Sequence, residues 1–236
     1  MDKLVKYLCI IQARLNSSRL PAKVMLDLAG KTLLERVYET VSKSTRITHK
    51  VVATSNKKSD DVIVSKLENL GIEYFRGDLN NVLERFFYAA QEYKAKNIVR
   101  ITADNPLMDA KLIDDLILQY EKSGSEYSMF SNAIYGLSAE VFTYRALYLA
   151  YKNARNEYDR EHVTPYIKDN CNTYIIDINE KYRNSNLNAT IDTLSDYTTM
   201  QQFYLYCKKF SLEANIDTFI DIMNMDIDAQ TKNILS

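Results

Sequence analysis

The chain has 236 residues, of which 46% are hydrophobic and 26% charged, and its formal net charge is -1. That length buries a substantial core within one domain, and the near-neutral balance supplies no global positive field to gather nucleic acid. No apolar run approaches the length of a membrane span, and the hydrophobic stretch at the N-terminus is too short for a signal peptide.

Short β-rich runs alternate with helical patterns through the first half. Leu8 to Ile11 reads as a buried strand that opens into a loop. Between Gln12 and Lys23 the loop places three cations, Arg14, Arg19 and Lys23, with no acid, and Ser17 and Ser18 add hydroxyls. A helix follows from about Thr32 to Ser44, where Thr32 and Glu35 have capping-box spacing. Val51 to Thr54 is a strand, and Asp60 to Leu70 a helix stopped by Gly71. Ile72 to Phe75 is a strand and Asn81 to Tyr93 a helix. Asn97 to Thr102 is a strand, and Asp109 caps a helix that runs to Lys122.

The second half is less regular. Glu126 to Phe130 and Leu137 to Phe142 read as strands, Thr143 to Ala154 as a helix. Asp159 to Lys168 reads as one helix despite Pro165. Tyr174 to Ile178 and Ala189 to Asp192 read as strands, and Ser195 to Lys208 as a helix. The tail from Ile216 to Leu235 reads as two short helices. With no repeat, low-complexity tract or Pro/Gly-rich linker, residues 1–236 form one domain with a helical tail from about 210. Strand–helix units with short connections predict an α/β fold, a mostly parallel sheet with helices on both faces.

Ligands of such sheets bind outside the carboxyl ends of the strands. That rule gathers Arg14, Arg19 and Lys23 after the first strand, Asp104 after the strand ending IVRIT, and Asp192 after NATI. Guanidiniums grip phosphate oxygens in pairs, and lysine acts as a point charge. Two carboxylates facing a cationic loop suit Mg²⁺ held against a triphosphate. Taken singly, each Asp also fits a turn or cap, and the loop also fits a solvated surface. The chain lacks GxGxxG and GxxxxGK[ST]. Its two histidines, His49 and His162, have no second histidine nearby. Cys9, Cys171 and Cys207 lack metal-ligand spacing and read as thiols of a reducing, cytoplasmic compartment.

The ordered strings QARLNSSRLPAKVMLDLAGKTLLERV, VVATS, FRGDLNNVLERFFYAA, VRITADNPLMD, GLSAEVF, REHVTPYI and IDTLSDYTTM resemble the sugar-activating cytidylyltransferases. The likeness is to the spore-coat polysaccharide branch, related to enzymes that make CMP-activated 3-deoxy-manno-octulosonate and acylneuraminate. The resemblance implies a Rossmann-like nucleotidyltransferase fold and transfer of CMP from CTP to a small acceptor, with release of pyrophosphate. It implies nucleotide contacts from Ala13, Arg14, Ser18, Arg19, Lys23, Arg85 and Asp104, with Arg14, Arg19, Lys23 and Asp104 catalytic. Asp104 and Asp192 are the implied Mg²⁺ ligands, and Glu140, Arg160 and Glu161 the expected acceptor-side contacts. A homodimer is expected, with no nucleic-acid or membrane partner. Where the family usually has glycine this chain has Asn16, which tolerates positive φ, and Ala22, which is harder to reconcile with a backbone that must approach phosphate closely. Ser138-Ala139 stands where an acidic residue is common. The acceptor stays open between a sugar or sugar acid and a small non-sugar phosphate. A nucleotide-sugar-dependent glycosyltransferase is the competing enzyme reading, although its DxD motif reads Ala103-Asp104-Asn105 here. A catalytically silent nucleotide sensor is the third.

Overall fold

The computed structural model describes residues 4–183 and 186–224. β1 (Val5–Gln12) leads through a single 3-10 turn (Lys23–Met25) into α1 (Leu33–Ser42). β2 (His49–Ser55), α2 (Asp61–Asn69), β3 (Tyr74–Gly77), α3 (Val82–Glu92), β4 (Ala95–Thr102) and α4 (Ala110–Ser123) complete the first half. The second half holds β5 (Tyr127–Ser131), β6 (Glu140–Thr143), α5 (Tyr144–Asn153), α6 (Glu157–His162) and α7 (Pro165–Asn170). β7 (Thr173–Asp177), α8 (Leu194–Phe210) and α9 (Ile216–Asn224) follow.

The strands form one sheet in the order β3-β2-β1-β4-β6-β5-β7. β3, β2, β1 and β4 run parallel; β6 is antiparallel to both β4 and β5, and β5 pairs parallel with β7. β1 is central, so its side chains are buried on both faces. Tyr7, Cys9 and Ile11 pack into a core with Val37 and Val41 of α1, Leu116 of α4 and Phe203 of α8. Leu8 and Ile10 face Phe86 of α3 and Leu147 of α5 on the other side. An unbroken apolar run is what a strand covered on both faces requires. The caps also follow the sequence: Thr32 and Glu35 form a reciprocal capping box, and Asp109 accepts from Lys111 N and Leu112 N.

Several expectations are corrected. The first strand is longer, and β3 begins two residues later than expected, because Ile72 N still closes on Leu67 O of the preceding helix. The strand expected from Leu137 begins only at Glu140, since Leu137 N folds back to Ile134 O in a turn. The single helix expected over Asp159 to Lys168 is two. Val163 sits at φ 70, ψ -52, with Thr164 N donating to His162 O, a strained γ-turn that breaks the helix, and Pro165 then starts α7. Ala189 to Asp192 is not a strand of the sheet. Its backbone is satisfied elsewhere: Ala189 N donates to Tyr135 O, Ile191 N to Asp104 O and Asp192 N to Asp196 Oδ2. Of the two tail helices one is present, α9; the second lies outside the described residues.

Gly136 holds the displaced segment in place. Its φ is +99°, and an added Cβ would lie 2.7 Å from both Ala189 C and Thr190 N, backbone atoms that cannot step aside. Gly71 has φ +64° with open space around it. Gly136→Ala is therefore expected to destabilise the protein by about 3 kcal/mol and Gly71→Ala by about 1 kcal/mol. Urea unfolding of the two variants beside the parent checks this. Equal losses would mean that the approach of the Asp192 segment does not depend on Gly136.

Candidate active site

The loop after β1 is fastened at its start and closed on itself. Ala13 N donates to Ala53 O of β2. Leu15 O accepts from both Ser17 N and Ala22 N at 2.9 Å. Leu15 N donates to Asp60 Oδ1 at 3.0 Å. Asp60 is fully buried, and its other oxygen accepts from Thr54 Oγ1, Ser55 N and Ser55 Oγ at 3.2, 3.2 and 2.6 Å. Asp60 precedes α2 but makes no side-chain cap there; its acceptor capacity is spent tying the loop to the end of β2. Ala22 adopts φ 58 and starts the 3-10 turn. The left-handed backbone usual for glycine is thus kept at Ala22, with an alanine in it at a cost of about 1 kcal/mol. Asn16 does not use that conformation.

The turn aims Lys23 inward, where it is 8% exposed. Its Nζ donates to Asp104 Oδ2 and to Asp192 Oδ1, both at 2.7 Å, and to Ile191 O at 2.9 Å. Arg19 Nη2 lies 2.9 Å from the other oxygen of Asp192, and Arg14 Nη2 lies 2.9 Å from Glu161 Oε1. Burial pushes the Lys23 ammonium pKa down, but the Asp104 and Asp192 carboxylates outweigh it and hold the value above normal. Asp192 is itself placed by a capping box: Thr193 caps α8, and Asp196 accepts the backbone N–H of both Asp192 and Thr193.

These groups border one open cavity of about 650 Å³ at the carboxyl ends of β1 and β4. Arg14, Ser18, Arg19, Lys23, Asp104, Asp192 and Glu161 all line it. Gln12, Arg100, the end of β5 with the turn that follows it to Gly136, and His162 line the same cavity. Asp104 and Asp192 converge on a single point, now held by an ammonium. Two hard oxygen donors beside a polyanion-sized space fit a magnesium ion that takes its remaining ligands from phosphate and water. Among the described residues no group of three or more His, Cys, Asp or Glu suits a metal.

Four expected site residues lie elsewhere. Ala13 is buried behind the loop, and its contribution is the backbone bond to β2. Arg160 borders a separate hollow of about 260 Å³ with Lys152 and Arg155, because successive residues of α6 point about 100° apart and Glu161 takes the face towards the main cavity. Arg85 is fully buried; Nη1 donates to Asp78 O, while Nε and Nη2 have no partner. Burial, and secondarily the charge of Arg14, lowers the Arg85 pKa to about 10.

Glu140, expected at the acceptor, is buried beneath the cavity instead. It is paired across the β4–β6 register with Arg100, and it accepts from Tyr127 Oη at 2.5 Å and Thr164 Oγ1 at 2.8 Å. Lys168 Nζ adds a second ion pair at 2.9 Å. Burial alone would raise its pKa, but Arg100 and Lys168 prevail and hold it at about 2. The residue that reaches the cavity from this cluster is Arg100. Arg100, Gln12 and Asp60 are functional positions that no sequence motif marks. The available signal was a polar side chain inside an otherwise apolar central strand, as at Gln12 and Arg100.

The chain matches the family described as cytidylyltransferases over residues 8–234. It belongs to that family. The cytidylyltransferases are CTP-dependent nucleotidyltransferases, and the seven-stranded, mostly parallel sheet is their fold. A relative from Methanocaldococcus jannaschii, an uncharacterised protein, is 40% identical over 98% of this chain and 95% of its own length. The spore coat polysaccharide biosynthesis protein SpsF of Bacillus subtilis is 32% identical over 95% of this chain and 97% of its own. Among solved structures, a cytidylyltransferase from Leptospira borgpetersenii superposes with a TM-score of 0.81 at 29% identity, covering 97% of this chain and 95% of that one.

Two variants of this cytidylyltransferase separate loop geometry from stability. The lowered pKa of Glu140 means that its contribution to stability is complete above pH 4.5, the ordinary value, and is lost as pH falls towards 2. Glu140→Gln should cost about 3 kcal/mol at neutral pH, because it leaves Arg100 uncompensated, and should flatten the acid loss in that window. Denaturation at neutral and acid pH tests it; an unchanged acid limb would count against the assignment. Asp60→Asn should weaken CTP binding about tenfold while weakening cytidine binding little, since the defect sits under the cationic loop after β1. Calorimetric titration with both ligands decides, and equal losses would show a general folding defect.

Proposed function

We propose that the protein moves CMP from CTP to a sugar or related small acceptor, releasing pyrophosphate, for surface polysaccharide or glycoconjugate precursors. One observation carries the reading: Arg14, Arg19 and Lys23 line one cavity together with Asp104 and Asp192, with Arg19 and Lys23 in direct contact with those carboxylates. The relative named for spore coat polysaccharide biosynthesis supports a sugar-related acceptor. Arg100, paired with Glu140 beneath it, brings a further guanidinium to the cavity lining, which favours an acceptor carrying a carboxylate or phosphate.

An acceptor oxygen attacks the α-phosphorus in line; the new O–P bond forms as the bond to the bridging oxygen of pyrophosphate breaks. The protein's work is positioning and charge neutralisation. Arg14 and Arg19 grip the departing pyrophosphate as forks, and Lys23 adds a point charge. Ser17 and Ser18 offer hydroxyl donors on the same loop. Arg85 is fully buried outside the cavity lining, so it bears on the site only through its charge near Arg14. Asp104 and Asp192 would hold Mg²⁺, which supplies further neutralisation of the phosphate charge when bound.

Pyrophosphate release from CTP, ATP, GTP and UTP against a panel of sugar acids, sugar phosphates and small non-sugar phosphates tests the proposal. Release is expected from CTP alone and only with an acceptor. Equal release from all four nucleotides, or cleavage of a nucleotide sugar without pyrophosphate, would refute it. Within that assay Arg19→Lys should lower turnover about tenfold and Arg19→Ala about a hundredfold, because lysine keeps charge but loses the paired hydrogen bonds. Parent-like turnover of both, with circular dichroism unchanged, would make the loop a solvated surface.

A further inference from the structure

The three cations of the phosphate loop are already paired with three acids of the same cavity: Arg14 with Glu161, Arg19 with Asp192, and Lys23 with Asp104 and Asp192 together. The site is therefore close to neutral before any ligand arrives. The central pair differs from the other two. Arg14 and Arg19 meet their acids with side chains 28% and 63% exposed, while the Lys23 side chain is 10% exposed and that of Asp192 11%. The Lys23 ammonium lies 2.7 Å from both carboxylates and is held a third time by Ile191 O at 2.9 Å. A divalent cation bridging Asp104 and Asp192 would need that same space, because magnesium–oxygen distances are only about 2.1 Å.

We propose that Lys23 is a built-in stand-in for the divalent cation, so that the metal position opens only when a polyphosphate draws the ammonium away. This rests on the nucleotidyltransferase reading above and adds an order of events to it. The lysine stem is long and flexible, so its head can leave the carboxylates for phosphate oxygens while the stem stays packed. Once it leaves, Asp104 and Asp192 are two like charges side by side, next to a polyanion. That arrangement is costly without a cation and attracts a divalent one strongly. The exchange ties the two ligands together: whatever factor the triphosphate adds to metal affinity, the metal adds to triphosphate affinity. A monophosphate has no β- or γ-oxygens with which to draw Lys23 away, so CMP is not coupled in this way. The lysine also keeps the site from being loaded with free metal ahead of the nucleotide.

Manganese titration followed by electron paramagnetic resonance reads this directly, on the full chain and without any acceptor. With no nucleotide present, Lys23→Met should bind one Mn²⁺ at least about tenfold more tightly than the parent, and adding Asp104→Asn should abolish that gain. If Lys23→Met is unstable without metal, Lys23→Gln serves, and Mn²⁺ should raise the melting temperature of either variant more than that of the parent. A measurement on the parent alone gives an independent check: Mn²⁺ should strengthen CTP binding about tenfold and CMP binding less than about twofold. If the parent binds Mn²⁺ as tightly as Lys23→Met without nucleotide, or if CTP and CMP gain equally, the stand-in role is overturned while the metal assignment survives. If Mn²⁺ shows no dependence on Asp104 or Asp192 even with CTP present, both the stand-in and the metal assignment beneath it fall.

Discussion

A buried ammonium held between two carboxylates joins three parts of the chain that are far apart in sequence. Lys23 comes from the loop after β1, Asp104 from the turn after β4, and Asp192 from the segment before α8. Each of these backbones is fastened near its charge. Asp60 holds Leu15, Ile191 N donates to Asp104 O, and Asp196 accepts from Asp192 N. The charges are therefore held by the scaffold as well as by one another. Carboxylates brought this close need a cation between them, and the lysine meets that need in the ligand-free protein.

A second buried charge cluster lies beneath Arg100 in the cavity lining. Glu140 takes Arg100, Lys168, Tyr127 and Thr164 on its two oxygens, which links β4, β5 and β6 to the start of α7. The strained γ-turn at Val163 lies one residue before Thr164. Glu161 and His162, before it, line the cavity, while Thr164, after it, donates to buried Glu140. Strain at such a position persists only where the surroundings over-determine it. Here Val163 is fully buried between two short helices. This part of the cavity is thus as firmly built as the part around Lys23, with Glu140 and its partners buried beneath Arg100.

Much of this was legible beforehand. The continuous apolar run of β1 announced a strand covered on both faces, and the Thr32–Glu35 and Asp109 caps marked helix starts through purely local chemistry. The loop cations were visible because three charges with no acid between them are unusual so close to a buried strand. Local signals failed where distant backbone supplied the hydrogen bonds. Ala189 to Asp192 has the composition of a strand, yet its partners are single groups on two loops and on α8. The residues from Asp159 to Lys168 have helical composition, yet a turn closed by one i→i+2 bond divides them.

What the sequence determined by itself was therefore the mostly parallel α/β architecture, its caps and the cluster of three cations in the loop after β1. Each depends on periodicity or on neighbours within a few residues. Only the tertiary structure decided which acid meets which cation. It placed Glu140 under Arg100 instead of in the cavity, turned Arg160 away from Glu161, and gave Asp60 to Leu15 instead of to a helix cap. Those choices depend on strand register and on the path of loops that close over 45 to 169 positions of chain, as in Asp60 with Leu15 and Asp192 with Lys23. Charge alone cannot encode them, because any acid satisfies any nearby cation equally well until the backbone determines which ones are near.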